Sequence, residues 1–113
     1  MIIDLNNKVF KSTSNSNNGE ISDETIFNYH QSGKIVWAEY VGGVIIKGTL
    51  IGKFIGNDNF EFVYQHINEK NELLTGKCTS NIEIDENAKI ILNEKWQWTC
   101  RDYSKGKSKL IEI

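Results

Sequence analysis

Apolar and polar residues alternate with a period of two through most of the chain after Asp23, and no useful length follows a helical period. The clearest case is Lys89 to Arg101. One row reads Ile90, Leu92, Glu94, Trp96, Trp98 and Cys100, and the other reads Lys89, Ile91, Asn93, Lys95, Gln97 and Thr99. All of the first row but Glu94 is apolar, so this row is expected to face a core. From Val44 to Phe54 the same rule turns Val44, Ile46, Gly48, Leu50, Gly52 and Phe54 inward, and Ile45, Lys47, Thr49, Ile51 and Lys53 outward. Between Phe60 and Ile67 the heavier row is Phe60, Phe62, Tyr64 and His66.

Turn residues then set the expected register. Gln31-Ser32-Gly33 reads as a three-residue hairpin loop, and Gly42-Gly43 as a two-residue turn with positive φ at both positions. Ile55–Asn59, Asn68–Glu72 and Asp85–Lys89 each serve as five-residue loops, and a last turn lies around Asp102 to Gly106. These choices place Val41 opposite Val44, Trp37 opposite Gly48, Gly48 opposite His66, Tyr64 opposite Gly76, and Gly76 opposite Trp98. Inward glycines then lie beside aromatic rings, which fill the space that a missing side chain leaves. The segment Ile35 to Tyr40 is the least determined, because Trp37 and Tyr40 cannot share a face; the turn favours Trp37 and Glu39 inward. Ser12 to Gly19, all Ser, Thr, Asn and Gly, reads as a loop.

With Lys8–Ser12 as a first strand and Lys107–Ile113 as a last, about eight strands follow one another through short connections. A flat sheet would leave its aromatics and two edges exposed, and closure removes both problems. The expected fold is all-β: a single domain over residues 1–113, an antiparallel up-and-down meander closing into a small barrel like the calycins or avidins in outline. A two-sheet sandwich is the alternative.

Several segments resemble a family of small bacterial proteins without an established function. They are Glu24-Thr25-Ile26-Phe27, Gly42-Gly43 running into Lys47-Gly48-Thr49-Leu50-Ile51-Gly52, Tyr64 with Asn68, Gly76, Glu94-Lys95-Trp96-Gln97-Trp98, and Gly106 with Ser108. Members are often labelled N-acetylglutamate synthase, a name that implies an acetyl-CoA-dependent acetyltransferase. The residues argue against that activity: no glycine cluster opens a helical pattern, and pyrophosphate binding of that kind uses a helix N-terminus. The resemblance supplies no catalytic residue.

The 113 residues carry thirteen basic and fifteen acidic side chains, a net charge of −2, and Arg101 is the single arginine. This is not the basic footprint of a nucleic-acid binder. No apolar run approaches the length that crosses a bilayer as a helix; Val44-Ile45-Ile46 is broken by Lys47. Without a signal-peptide pattern, a cytoplasmic location and reduced thiols at Cys78 and Cys100 are expected. No His or Cys pair has metal-ligand spacing, so neither metal nor cofactor is expected.

Candidate chemistry gathers on the inferred inner face. Glu94 stands between Leu92 and Trp96, where an ionised carboxylate is costly unless paired. Trp37, Glu39, Tyr64, His66, Glu94, Trp96 and Trp98 are the candidate lining of an interior pocket, an aromatic wall with a few ionisable groups. The same residues can equally fill a small core. The leading expectation is a barrel that binds a small apolar or amphipathic molecule. Its rivals are a barrel enzyme using Glu94 with His66 in acid–base chemistry, and a structural protein, monomeric or weakly dimeric through Ile45, Ile51, Ile111 and Ile113.

Overall fold

The computed structural model describes residues 3–113. Eight strands follow in chain order: β1 (Val9–Asn15), β2 (Ile26–Ser32), β3 (Ile35–Gly42), β4 (Ile45–Phe54), β5 (Asn59–Asn68), β6 (Leu73–Ile84), β7 (Ile90–Trp98) and β8 (Lys105–Glu112). Each pairs antiparallel with the next, and β8 returns to β1, closing an up-and-down barrel. The described residues contain no helix, hence none long and apolar enough to cross a membrane.

The alternating pattern sets which side chains enter. Along β7, Ile90, Leu92, Glu94, Trp96 and Trp98 are buried, while the alternate residues are exposed or half-buried. The five-residue loops hold β4 to β7 in the expected register: Phe54 faces Phe60, Gly48 faces His66, Tyr64 faces Gly76, Gly76 faces Trp98, and Ser80 faces Glu94. Rings cover the inward glycines. A Cβ at Gly76 would run into the Tyr64 ring, and one at Gly106 into the Trp96 indole.

Register departs from expectation between β2 and β5. The first hairpin closes through Gly33 and Lys34, because Ser32 pairs with Ile35. The next closes through Gly43 and Val44, because Gly42 pairs with Ile45. Gly43 has φ 65° and Val44 is not in the positive region, the pattern of a turn with glycine at its first central position. Beyond it a bulge on β4, between Ile45 and Lys47, advances that strand by one residue against both neighbours. A one-residue shift exchanges faces. Ile45 is therefore buried and Ile46 is 59% exposed, the reverse of the simple alternation. Tyr40, not Trp37, lies opposite Gly48 and faces inward, and Trp37 pairs with Ile51 on the outside. β1 also extends further than expected, through a second irregularity between Ser12 and Ser14, and draws half of the Ser/Asn-rich segment into the sheet.

One end of the barrel is sealed. Residues 3–8 fold across it, with Leu5 fully buried and Asn7 N–H donating to the Tyr29 carbonyl at 2.9 Å. Phe10, Tyr29, Val36, Phe60, Leu92 and Leu110 fill the interior behind this plug. The other end carries the β1–β2, β3–β4, β5–β6 and β7–β8 connections, and the candidate site lies beneath them.

Candidate functional site

At this second mouth the packing leaves a cavity of about 40 Å³. That is well below the ~150 Å³ of an apolar cavity that takes benzene, and above the roughly 10–15 Å³ needed for one water. Most of the interior is filled. Phe27, Tyr40, Leu50, Phe62, Tyr64, Trp96 and Trp98 form the apolar wall, and Glu20, His66, Glu94 and Ser108 contribute polar groups.

Of the residues picked out from the sequence, Tyr64, His66, Glu94, Trp96 and Trp98 line this one cavity. Trp37 and Glu39 do not. The β4 bulge turns both outward, where Trp37 stacks on His30 with ring centroids 5.6 Å apart and Glu39 Oε1 accepts from His30 Nε2 at 2.8 Å. Ile45, expected on an outer patch with Ile51, lies inside. Glu94 and His66 share the cavity without bonding to each other: their partners are Ser108 for the first, and Tyr40 and Glu20 for the second.

Glu94 belongs to a ladder of inward polar positions across three strands, Ser80 on β6, Glu94 on β7 and Ser108 on β8. Ser108 Oγ donates to Glu94 Oε1 at 3.0 Å. Glu94 Oε2, Ser80 Oγ and the Tyr29 hydroxyl are buried with no hydrogen-bond partner among the described residues. Burial pushes the Glu94 carboxyl up to about 7, with the Ser108 bond opposing. An orphaned buried acceptor of this kind costs on the order of 1–3 kcal/mol, so the ladder is not explained by packing alone. Burial likewise raises the Tyr29, Tyr40 and Tyr64 hydroxyls and the Cys78 thiol, which keeps all four protonated.

A second polar group closes the mouth. Glu20, on the β1–β2 loop, presents its carboxylate to donors carried by the barrel. Its Oε1 accepts from His66 Nε2 at 2.9 Å and its Oε2 from Asn68 Nδ2 at 3.1 Å, and Arg101 lies 3.6 Å from Oε2. Because a carboxylate only accepts, His66 Nε2 carries the hydrogen, and Nδ1 accepts the Tyr40 hydroxyl at 3.0 Å. Burial lowers the His66 pKa from its ordinary value, and the Glu20 hydrogen bond opposes this. Arg101 also donates to Glu72 at 2.9 Å and lies 5.9 Å above the Trp98 ring. The tryptophans hold the loop: Trp98 Nε1 donates to the Asn18 carbonyl at 3.0 Å, and Trp96 Nε1 to Asn15 Oδ1 at 3.1 Å.

Pattern reading missed Glu20, Tyr40, Asn68 and Arg101. Glu20 lies in a loop without periodicity. Its one local signal is that it is the first charged residue after the uncharged run from Ser12 to Gly19. Arg101 offered the other, as the single arginine in a chain rich in lysine. Neither Cys78 nor Cys100 is in a disulfide, and no cluster of His, Cys, Asp and Glu among the described residues has the geometry to hold a metal ion.

Fold and cavity together define a small closed calycin-like barrel, plugged at one end and covered by a loop at the other. The chain belongs to the avidin-like family, whose sequence model, described as "Avidin-like protein", matches residues 3–113. Searches of curated proteins and of solved structures returned no match.

Proposed function

We propose that this protein binds a small amphipathic molecule in the cavity beneath the β1–β2 loop. Phe27, Tyr40, Leu50, Phe62, Trp96 and Trp98 would contact its apolar part, and Glu94 would meet a hydrogen-bond donor. The observation that carries this reading is Glu94 Oε2, buried on the cavity wall and unpartnered. A core needing only to be filled would be more stable with an apolar residue there. Membership of the avidin-like family fits a barrel that receives a ligand in its interior. The test is ligand-observed NMR of the protein against a library of small metabolites, with Glu94→Gln in parallel. Saturable binding that Glu94→Gln weakens is the expected result. A library without a hit, together with ordered water on Glu94 Oε2 in a crystal structure, would overturn it.

Acid–base catalysis is the second reading, favoured by one observation. A carboxyl brought to about 7 is poised to give or take a proton near neutrality. It draws less support because both His66 ring nitrogens are engaged and the Tyr40 hydroxyl is held protonated.

A further inference from the structure

The β1–β2 loop is held to the barrel mainly by side chains. Beyond the Ser16 N–H bond to the Lys107 carbonyl, the backbone–backbone hydrogen bonds of residues 17–25 that lie outside the strands stay within the loop: Gly19 to Ser16 and Thr25 to Ser22. What the loop delivers to the mouth is one carboxylate, Glu20, with its side chain only 15% exposed. The donors it meets come from elsewhere. His66 and Asn68 are at the end of β5, a strand paired along its length on both sides, and Arg101 is on the β7–β8 connection. The receiving group is thus built into the barrel, and the group received is on the loop.

We propose that His66, Asn68 and Arg101 form a carboxylate-binding site, that Glu20 occupies it as a tethered stand-in, and that a ligand's carboxylate enters by displacing Glu20. The proposal rests on the interior-binding reading above and adds the ligand class, a short carboxylate with an apolar body. Acceptor geometry favours this class over others. Removing Glu20 strips the buried His66 Nε2–H of its acceptor, and takes one of two carboxylate partners from Asn68 and from the half-exposed Arg101, both of which keep Glu72. An incoming carboxylate replaces both lost oxygens at once, one toward His66 and one toward Asn68 and Arg101. A neutral carbonyl supplies a single, weaker acceptor, and a cation is repelled by Arg101. The site opens directly onto the aromatic wall, since Glu20 and His66 line the same cavity as Tyr40, Tyr64 and Trp98. Glu20 lines the small cavity at its mouth, so withdrawal of its side chain also enlarges it at the point of entry. The loop anchors supply the readout, because the Trp96 and Trp98 indole N–H groups are bonded to Asn15 and Asn18.

The experiment is an NMR titration of wild type, Glu20→Ala, Glu20→Gln and the double variant Glu20→Ala/Arg101→Ala, following both indole N–H resonances. The probes are sodium butyrate and sodium benzoate against butyramide and benzamide, at constant ionic strength. A tethered competitor weakens a ligand by a factor of one plus the ratio of its effective concentration, on the order of millimolar, to its own dissociation constant. A constant of about 0.1 millimolar makes the expected tightening of both carboxylates about tenfold. The amides, which gain only the space that Glu20 vacates, should tighten far less than the carboxylates, and the double variant should lose the carboxylate-specific gain. Glu20→Gln keeps the side chain's shape, safeguards against a folding defect in the alanine variant, and should show a smaller gain of the same sign. Equal changes for carboxylate and amide, or no carboxylate binding to either Glu20 variant, would overturn the proposal. Amide binding without a carboxylate preference would overturn it and leave interior binding standing, whereas silence from these probes and from the metabolite library would remove both.

Discussion

At the scale of single residues the decisive feature is the buried carboxyl of Glu94. Its value of about 7 lies above the 4.5 of an ordinary glutamate, so the folded state holds the proton more tightly than the unfolded chain. The stabilisation from that proton is complete below pH 4.5 and is lost as pH rises through 7, an effect of about 3 kcal/mol. His66 acts in the opposite sense. Its lowered pKa contributes stability above 6.5 that is lost as pH falls. Glu94→Gln is neutral at every pH, so its stability relative to wild type should improve by about 3 kcal/mol between pH 4.5 and pH 8 in urea denaturation. A difference that stays flat with pH would mean that Glu94 does not titrate in this window. Gly48 gives a steric counterpart. A Cβ there would run into the Tyr40 ring, so Gly48→Ala should cost about 1–3 kcal/mol in chemical denaturation. It should also shift the His66 imidazole signals, since the displaced ring carries the hydroxyl bonded to Nδ1.

At the scale of elements, the strands and the β1–β2 loop are held by different means. Strands are held by ladders, the loop by a few side chains and above all by Asn15, which accepts from Trp96 Nε1 and donates to the Ile21 carbonyl. Asn15→Ala leaves a buried indole N–H without an acceptor and should cost about 1–3 kcal/mol. A glutamate-specific protease should then cut after Glu20 or Glu24 faster than in wild type, with the strands still intact by circular dichroism. Element scale is also where legibility in the sequence broke down. Loops rich in Asn, Asp and Gly announced the register of β4 to β7, and with it the placing of Tyr64, His66, Glu94, Trp96 and Trp98. The bulge between Ile45 and Lys47 had no such announcement. It relieves the strand where three consecutive apolar residues, Val44 to Ile46, give alternation nothing to act on. One unseen residue of slip was enough to send Trp37 and Glu39 to the outside and bring Tyr40 in.

Across the whole molecule the barrel has one thin seam. β1 meets β2 in regular register only over Val9 to Lys11, while β4, β5, β6 and β7 pair along most of their length. Native-state hydrogen exchange should therefore find the amides of β1 opening at lower free energy than those of β5 and β6. Uniform protection around the barrel would contradict this. Closure itself was readable in advance, because period-two alternation and short turns are local properties, and burying one face of about eight such strands without free edges leaves few arrangements. Which groups meet at the cavity mouth was not readable. Glu20, His66, Asn68 and Arg101 come from a loop, the end of a strand and another connection, separated by up to 81 residues, and no local pattern links them. The chain's alternation thus determined which side chains face inward along most strands. Only the closed barrel decided which of them meet, because hydrogen bonds and ion pairs form between groups that closure brings within a few ångströms, whatever their spacing along the chain.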